Sequence, residues 1–167
     1  MRNFTIETGA DGVALVRFDS PGQSMNTLTR DAIAEIGDLA DCLAADPAIR
    51  GAIILSGKQS GFCAGGDLTE LEQDIARWRQ ASTQDELAVA AAVAGCLSRN
   101  LRRLERCGKP LVAAIAGLAL GGGLELAMAC HYRVAADDPR IRQGLPEAGI
   151  GLLAGGGGTQ RLPRLIG

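Results

Sequence analysis

Glu125 and Glu147 each sit in a glycine-rich frame, Gly121-Gly122-Gly123-Leu124-Glu125-Leu126-Ala127 and Gly144-Leu145-Pro146-Glu147. Carboxylates exchange protons, and glycines let a ligand oxygen approach backbone N–H donors closely. The two together are equipment for polarising a carbonyl while a proton moves. The first frame follows an apolar run from Leu111 to Leu120 and leads into Leu124 to Cys130, which reads as a strand, a glycine turn and a helix start. The first turn of a helix has unpaired N–H groups and a partial positive charge, so an oxyanion developing there is stabilised. Three glycines would also allow close strand–helix packing and nothing more. Glu125 favours chemistry, because a charge buried one step beyond the turn is otherwise costly.

A second glycine turn stands upstream, Ser56-Gly57-Lys58-Gln59-Ser60-Gly61-Phe62-Cys63-Ala64-Gly65-Gly66-Asp67-Leu68, after the strand-like run Gly51 to Leu55. Asp67 is favourable at the start of the helix that follows, and the N–H groups around Gly65 and Gly66 would point outward from a fixed turn. Taken alone, this segment reads as a plain loop.

The elements that must position these frames alternate. Residues 3–7, 12–18, 51–55, 111–116 and 132–135 read as strands, separated by helices over 29–45, 67–79 and 85–107. The class is therefore α/β, with layers of helix on sheet. The third helix has the clearest pattern. Thr83-Gln84-Asp85-Glu86 is a capping box, and Leu87, Ala90, Ala94, Leu97, Leu101 and Leu104 form one apolar stripe read as core. Gly108 before Pro110 stops it. Asp46-Pro47 closes the first helix, and Ala81 to Gln84 is too short a linker to divide domains, so residues 1–167 read as one domain.

Composition excludes several classes. A hydrophobic content of 47% with 22% charge gives a chain that buries a real core and is not disordered. Aromatic residues are only 3%, so no platform for stacking bases exists, and a net charge of −2 gives no general attraction to nucleic acid or membranes. The start lacks a signal-peptide apolar core, and the longest apolar run is about half of the roughly 20 residues that span a bilayer. A cytoplasmic protein without a membrane span is the simplest expectation. Cys42, Cys63, Cys96, Cys107 and Cys130 are odd in number and contain no Cys-x-x-Cys pair, and His131 is the single histidine. Neither a disulfide framework nor a metal site is expected, and the cysteines read as reduced core or near-core thiols. No Gly-x-Ser-x-Gly supports a serine hydrolase, and Gly155 to Gly158 is not followed by the Gly-Lys-Ser/Thr of a phosphate loop.

Five segments in order carry a resemblance. Cys63-Ala64-Gly65-Gly66-Asp67-Leu68, Lys109 to Gly117, Leu118 to Ala127, Gly144 to Glu147 and Gly157 to Arg164 look like the successive signatures of the crotonase, or enoyl-CoA hydratase/isomerase, superfamily. The resemblance covers essentially the whole chain. Pro21 to Leu28, His131 to Pro139, Arg161 to Gly167 and the 22-residue step between the glutamates are most similar to the N-terminal hydratase domain of multifunctional fatty-acid oxidation α-subunits.

The resemblance implies a spiral of ββα units, here stopping before the family's C-terminal helices, which cover the acyl pocket and help to build trimers or docking surfaces. It implies that Gly66 and Gly122 supply the oxyanion-hole N–H groups for a thioester carbonyl, and that Ala64, Gly65, Gly66, Asp67, Leu68 and Gly122 contact substrate. It implies that Glu125 and Glu147 are the catalytic carboxylates, Glu125 activating water and Glu147 exchanging the proton at the α-carbon. The implied activity is hydration of the C2–C3 double bond of 2-enoyl-CoA in β-oxidation, with room for Δ3–Δ2 isomerisation. Coenzyme A is then part of the substrate, with no separate cofactor, and the longer protein is expected as a homo-oligomer or a thiolase-containing complex. A different class, an inactive domain binding acyl-CoA, a partner or RNA, is disfavoured by the presence of both glutamates. Cys63 has no expected catalytic role. Arg99, Arg102, Arg103, Arg106 and Lys109 form one basic patch, read first as a solvated face and second as a holder of coenzyme A phosphates. Ala154 stands where relatives usually have proline, which implies a looser loop beneath Glu147, at about 0.4–1 kcal/mol.

Overall fold

In the computed structural model, which describes residues 1–167, a hairpin of β1 (Phe4–Thr8) and β2 (Val13–Phe18) leads to α1 (Arg30–Ala45). Then β3 (Gly51–Ser56), β4 (Gly61–Cys63), α2 (Leu68–Gln80), α3 (Gln84–Ala94) and α4 (Cys96–Glu105) follow. The chain continues through β5 (Leu111–Ile115), β6 (Leu118–Leu120), α5 (Gly122–Ala129), β7 (Tyr132–Ala135) and β8 (Arg142–Gly144). It closes with a 3-10 turn (Glu147–Ile150) and α6 (Gly158–Ile166).

The strands divide by a simple rule. The first strand of each pair, β3, β5 or β7, joins the large sheet of order β1-β2-β3-β5-β7, while the second, β4, β6 or β8, joins a small parallel sheet of order β4-β6-β8. A helical segment follows each pair, so three ββα units are present. Because β4, β6 and β8 run parallel, their C-terminal ends lie along one edge. That edge carries the Cys63–Asp67 turn, the Gly121–Gly123 frame and the run into Glu147. Loops at the carboxyl ends of parallel strands are where α/β folds gather ligand groups.

The core lies between the large sheet and α1 with α4. Phe4 stacks on Phe18 with ring centroids 4.5 Å apart, and Ile36, Leu39 and Leu43 of α1 are fully buried with Leu101 and Leu104 of α4. Burying one such leucine or isoleucine contributes about 1.5–3 kcal/mol. Glu35, on the buried side of α1, is compensated by accepting the Arg2 and Asn3 N–H groups at 2.7 and 2.8 Å.

Two expectations are corrected. The apolar run Leu111 to Leu120 is two strands in different sheets, because Gly117 takes a left-handed φ of 69° and turns the chain between them. The third helix is also two helices. Gly95, with the weakest helix propensity of any residue except proline, separates α3 from α4. The capping box at Thr83 and Glu86 is present, but α3 has no buried residue; Leu87 and Ala94 are exposed, so the stripe is core only from Leu101 onward. α2 likewise buries nothing completely, and the two helices pack on each other above the cleft described next. No helix is long and apolar enough to cross a membrane.

Candidate active site

The Cys63–Asp67 turn is held by backbone pairing with the segment before α1. Ala64 N–H donates to Asn26 O at 2.9 Å, Leu28 N–H to Gly65 O at 2.8 Å, and Asp67 N–H to Leu28 O at 3.2 Å. Asn26, itself fully buried, fixes that segment: its Oδ1 accepts Ser20 N–H, and its Nδ2 reaches Phe18 O, Ser56 Oγ and Phe62 O at 2.8–3.1 Å. No role was readable for Asn26 from sequence. The available signal was only a buried-type asparagine beside a proline–glycine turn. Asp67 caps α2 by accepting Glu70 N–H at 3.0 Å, as expected.

With the turn so fixed, Gly66 N–H donates to no group of the protein. The same holds for Gly122 N–H, at the first position of α5, where a helix has no internal acceptor to offer. A Cβ on Gly122 would stand 3.8 Å from Gly66 N, and one on Gly65 would stand 3.5 Å from Gly122 N, so the two donors are neighbours. Gly123 is the packing glycine of the frame: a Cβ there would run into the carbonyl of Cys63. Both sequence explanations of the triple glycine therefore apply, at different positions.

Glu125 belongs to α5, every residue of which is buried, and is itself 2% exposed. Its Oε1 accepts Gly158 N–H, the first residue of α6, at 2.7 Å, and its Oε2 lies against Gly156 where no Cβ would fit. Glu147 opens the 3-10 turn. Its Oε1 is 2.9 Å from the position of a Cβ on Gly121, and its Oε2 is buried without a protein partner. Gly121 has a φ of 52° and hydrogen-bonds to Gly144 O at 2.9 Å, tying the two glutamate frames together.

Burial pushes the Glu125 carboxyl above the usual range; the Gly158 and Gly156 N–H groups oppose that rise, Glu147 adds to it and Arg161 opposes it, leaving a net increase. A carboxyl raised in the fold binds its proton more tightly than in the unfolded chain. Its ionisation therefore costs folding free energy as pH rises above the unfolded value, near 4.5, and costs nothing well below it. Glu125→Gln, which keeps an acceptor for Gly158 N–H, is expected to raise stability to urea at pH 7, with the gain shrinking as pH falls through the raised folded value toward about 4.5. Urea unfolding of both forms at pH 7 and pH 4 checks this, and a gain that grows on acidification would contradict it.

Gly66, Gly122, Glu125 and Glu147 line one cleft of about 300 Å³, with Asp67, Leu28, Leu97 and Leu152 on its walls and α2 and α3 reaching over it through Leu71, Trp78 and Val93. Ala64, Gly65 and Leu68 lie outside its lining, Gly65 contributing backbone geometry. A larger hollow near Ser60, Asp138 and Arg140 lies at the opposite ends of the small-sheet strands and contains no carboxylate pair. No cluster of His, Cys, Asp or Glu is arranged to hold a metal ion.

The basic patch stands away from the cleft. Arg103 pairs with Asp41 and Arg102 with Glu105, both at 2.6 Å, while Lys109 caps Ile49 O. Arg102 and Arg103 are largely exposed. Cys63 and Cys130 are buried thiols pushed up to about 12, which removes thiolate chemistry. Cys42 is exposed, correcting its placement near the core.

Three ββα units, two free N–H donors and two carboxylates at one strand edge make the crotonase fold. The chain belongs to the Enoyl-CoA hydratase/isomerase family, whose model matches residues 8–167. It is 43% identical over 164 residues to the fatty acid oxidation complex subunit alpha of Idiomarina loihiensis, an overlap that covers 98% of this chain and 22% of that protein. The subunit alpha from Shewanella frigidimarina is also 43% identical, over 166 residues, with 99% and 22% covered. The chain thus spans about a fifth of the length of these relatives. A Geobacillus kaustophilus enoyl-CoA hydratase structure superposes with a TM-score of 0.82 at 30% identity, covering 100% of this chain and 58% of that one. For a Bacillus anthracis enoyl-CoA hydratase the TM-score is 0.79 at 30% identity, with 99% and 58% covered.

Proposed function

We propose that this chain forms the catalytic core of an enoyl-CoA hydratase acting in fatty-acid β-oxidation. The observation that carries the reading is the meeting of two unpartnered N–H donors with two carboxylates in one cleft. The thioester oxygen of a 2-enoyl-CoA sits between Gly66 N–H and Gly122 N–H. There the negative charge that develops as water adds is met by preorganised donors, each contributing about 3 kcal/mol.

Glu125, anchored by Gly158 N–H, takes a proton from the water whose oxygen bonds to C3. Glu147, with Oε2 unengaged by the protein, delivers a proton to C2. The π-bond electrons pass into the enolate and then into the new C2–H bond, so one water is added and both carboxylates are restored after proton exchange. The step needs Glu125 charged, and the Gly158 and Gly156 N–H groups with Arg161 are what favour that charged form against its burial. A single carboxylate facing both C2 and C4 could also shuttle a proton in Δ3–Δ2 isomerisation. Coenzyme A enters only as part of the substrate, and a place in a fatty-acid oxidation complex, in the cytoplasm, follows the same reading.

Loss of the conjugated-thioester absorbance on mixing with a 2-enoyl-CoA is the direct test. In D2O the product should carry one deuterium at C2. Binding of the thioester with no hydration, in a protein extended to the length of its hydratase relatives, would support the binding-domain alternative instead.

A further inference from the structure

We propose that Arg161 is the positioning residue of the Glu125 site, clamping the Gly156–Gly158 backbone from behind so that its N–H groups stay aimed at the carboxylate. The inference rests on the reading of Glu125 as the water-activating base. Arg161 lies on α6 with only 15% of its side chain exposed. Its Nη1 donates to Gly156 O at 2.8 Å and its Nη2 to Glu105 Oε2 at 3.3 Å. Glu105 is itself held by Arg102 at 2.6 Å, so the guanidinium is braced from α4.

The loop between is thin by composition. Gly156 and Gly158 flank the Glu125 carboxylate with no room for a Cβ, and Gly157, at a φ of 105°, has its missing Cβ position occupied by the Arg161 guanidinium. Carboxylate, bare backbone and guanidinium are thus stacked in three layers. Arg161 makes no hydrogen bond to Glu125, and its action passes through the Gly156 carbonyl and through its charge. A four-glycine run has no side chains to hold its own shape, and the planar guanidinium fork supplies two fixed bonds that a lysine cannot reproduce together. An ordinary α4–α6 ion pair would be worth little and would leave the Gly158 N–H unaffected.

The groups facing Glu125 are Glu147 across the cleft, Arg161 behind the loop and the Gly156 and Gly158 N–H groups; Glu105 and Arg102 act through Arg161. The experiment compares wild type with Arg161→Gln, Arg161→Lys and Glu105→Gln. It reads the Gly158 amide proton shift, the Glu125 titration by carboxyl carbon NMR, and hydration kinetics across pH. In Arg161→Gln the Gly158 amide is expected to move upfield, Glu125 to titrate at higher pH, and kcat to fall about 10–100-fold with little change in KM. Arg161→Lys should restore the Glu125 titration but only part of kcat, and Glu105→Gln should lie between. A Gly158 shift and Glu125 titration unchanged in all three variants would overturn the proposal, even if thermal stability fell. If Arg161→Gln fails to fold, the other two variants decide the same question. Should wild type not hydrate 2-enoyl-CoA, the hydratase reading fails while the two NMR readouts still judge Arg161.

Discussion

Replacing Glu125 or Glu147 by glutamine is expected to lower hydration of a 2-enoyl-CoA about 10²–10⁴-fold while leaving thioester binding nearly unchanged. Glutamine keeps the shape, and at position 125 it keeps an oxygen for Gly158 N–H, so the pocket is preserved. The amide cannot exchange the proton that moves between water and C2. Because the loss appears only in the transition state, kcat and kcat/KM should fall together. The test uses a protein extended to the length of its hydratase relatives, with absorbance loss as the rate and calorimetry for binding. Either variant hydrating within about tenfold of wild type would remove the two-carboxylate mechanism.

Glu125→Gln carries opposite signs in two assays. Activity should fall because the proton donor and acceptor is gone, and stability at neutral pH should rise because a buried charge is gone. A site that is destabilised for the sake of its chemistry behaves in this way.

The glutamate frames were legible because each combines residue types that only a functional or a tightly packed turn requires, whereas the turn at Gly65 and Gly66 reads alone as a plain loop and takes a role only from the resemblance. α2 was legible from its cap, Asp67, which also holds in the structure, and α1 falls where residues 29–45 read as a helix, with Thr29 as the cap the structure adds. What escaped was set by short range or by space. Strands β4, β6 and β8 have three residues each, too few for a period-two pattern, and yet they gather the site. β6 is parted from β5 by the short turn at Gly117, while β4 and β8 are parted from β3 and β7 by the longer connections 57–60 and 136–141. The apolar stripe over residues 87–104 has a true helical period, but a period cannot report that Gly95 interrupts it or that α3 leaves the core. Asn26 and Arg161 were visible only as letters inside longer signatures. Their partners, Phe62 O and Gly156 O among them, are backbone atoms, and backbone atoms leave no compositional trace.

The Gly123→Ala variant should lose hydratase activity about 10²-fold or more although it changes no group that touches substrate. A Cβ at Gly123 would meet the Cys63 carbonyl, with Cys63 Cβ at 2.7 Å and its carbonyl carbon at 2.9 Å. Two of these three are backbone atoms of the turn that presents Gly66, and the third is a buried side chain with no free rotamer space, so α5 and β4 must separate. That movement parts Gly122 N–H from Gly66 N–H, and a donor pair aimed at one oxygen tolerates little error: about 1 Å of misplacement costs about 10²-fold. Overpacking of this kind also costs about 1–3 kcal/mol of stability, small enough to leave a folded protein to assay. Gly149→Ala is the control, since its Cβ meets nothing within 4 Å, and it should stay within about 0.5 kcal/mol of wild type in stability. Measuring kcat, KM and urea unfolding for both variants separates the outcomes. Wild-type turnover in a folded Gly123→Ala protein would show that the α5–β4 contact does not set the spacing of the two donors, and with it the oxyanion role of Gly66 and Gly122 would lose its geometric support.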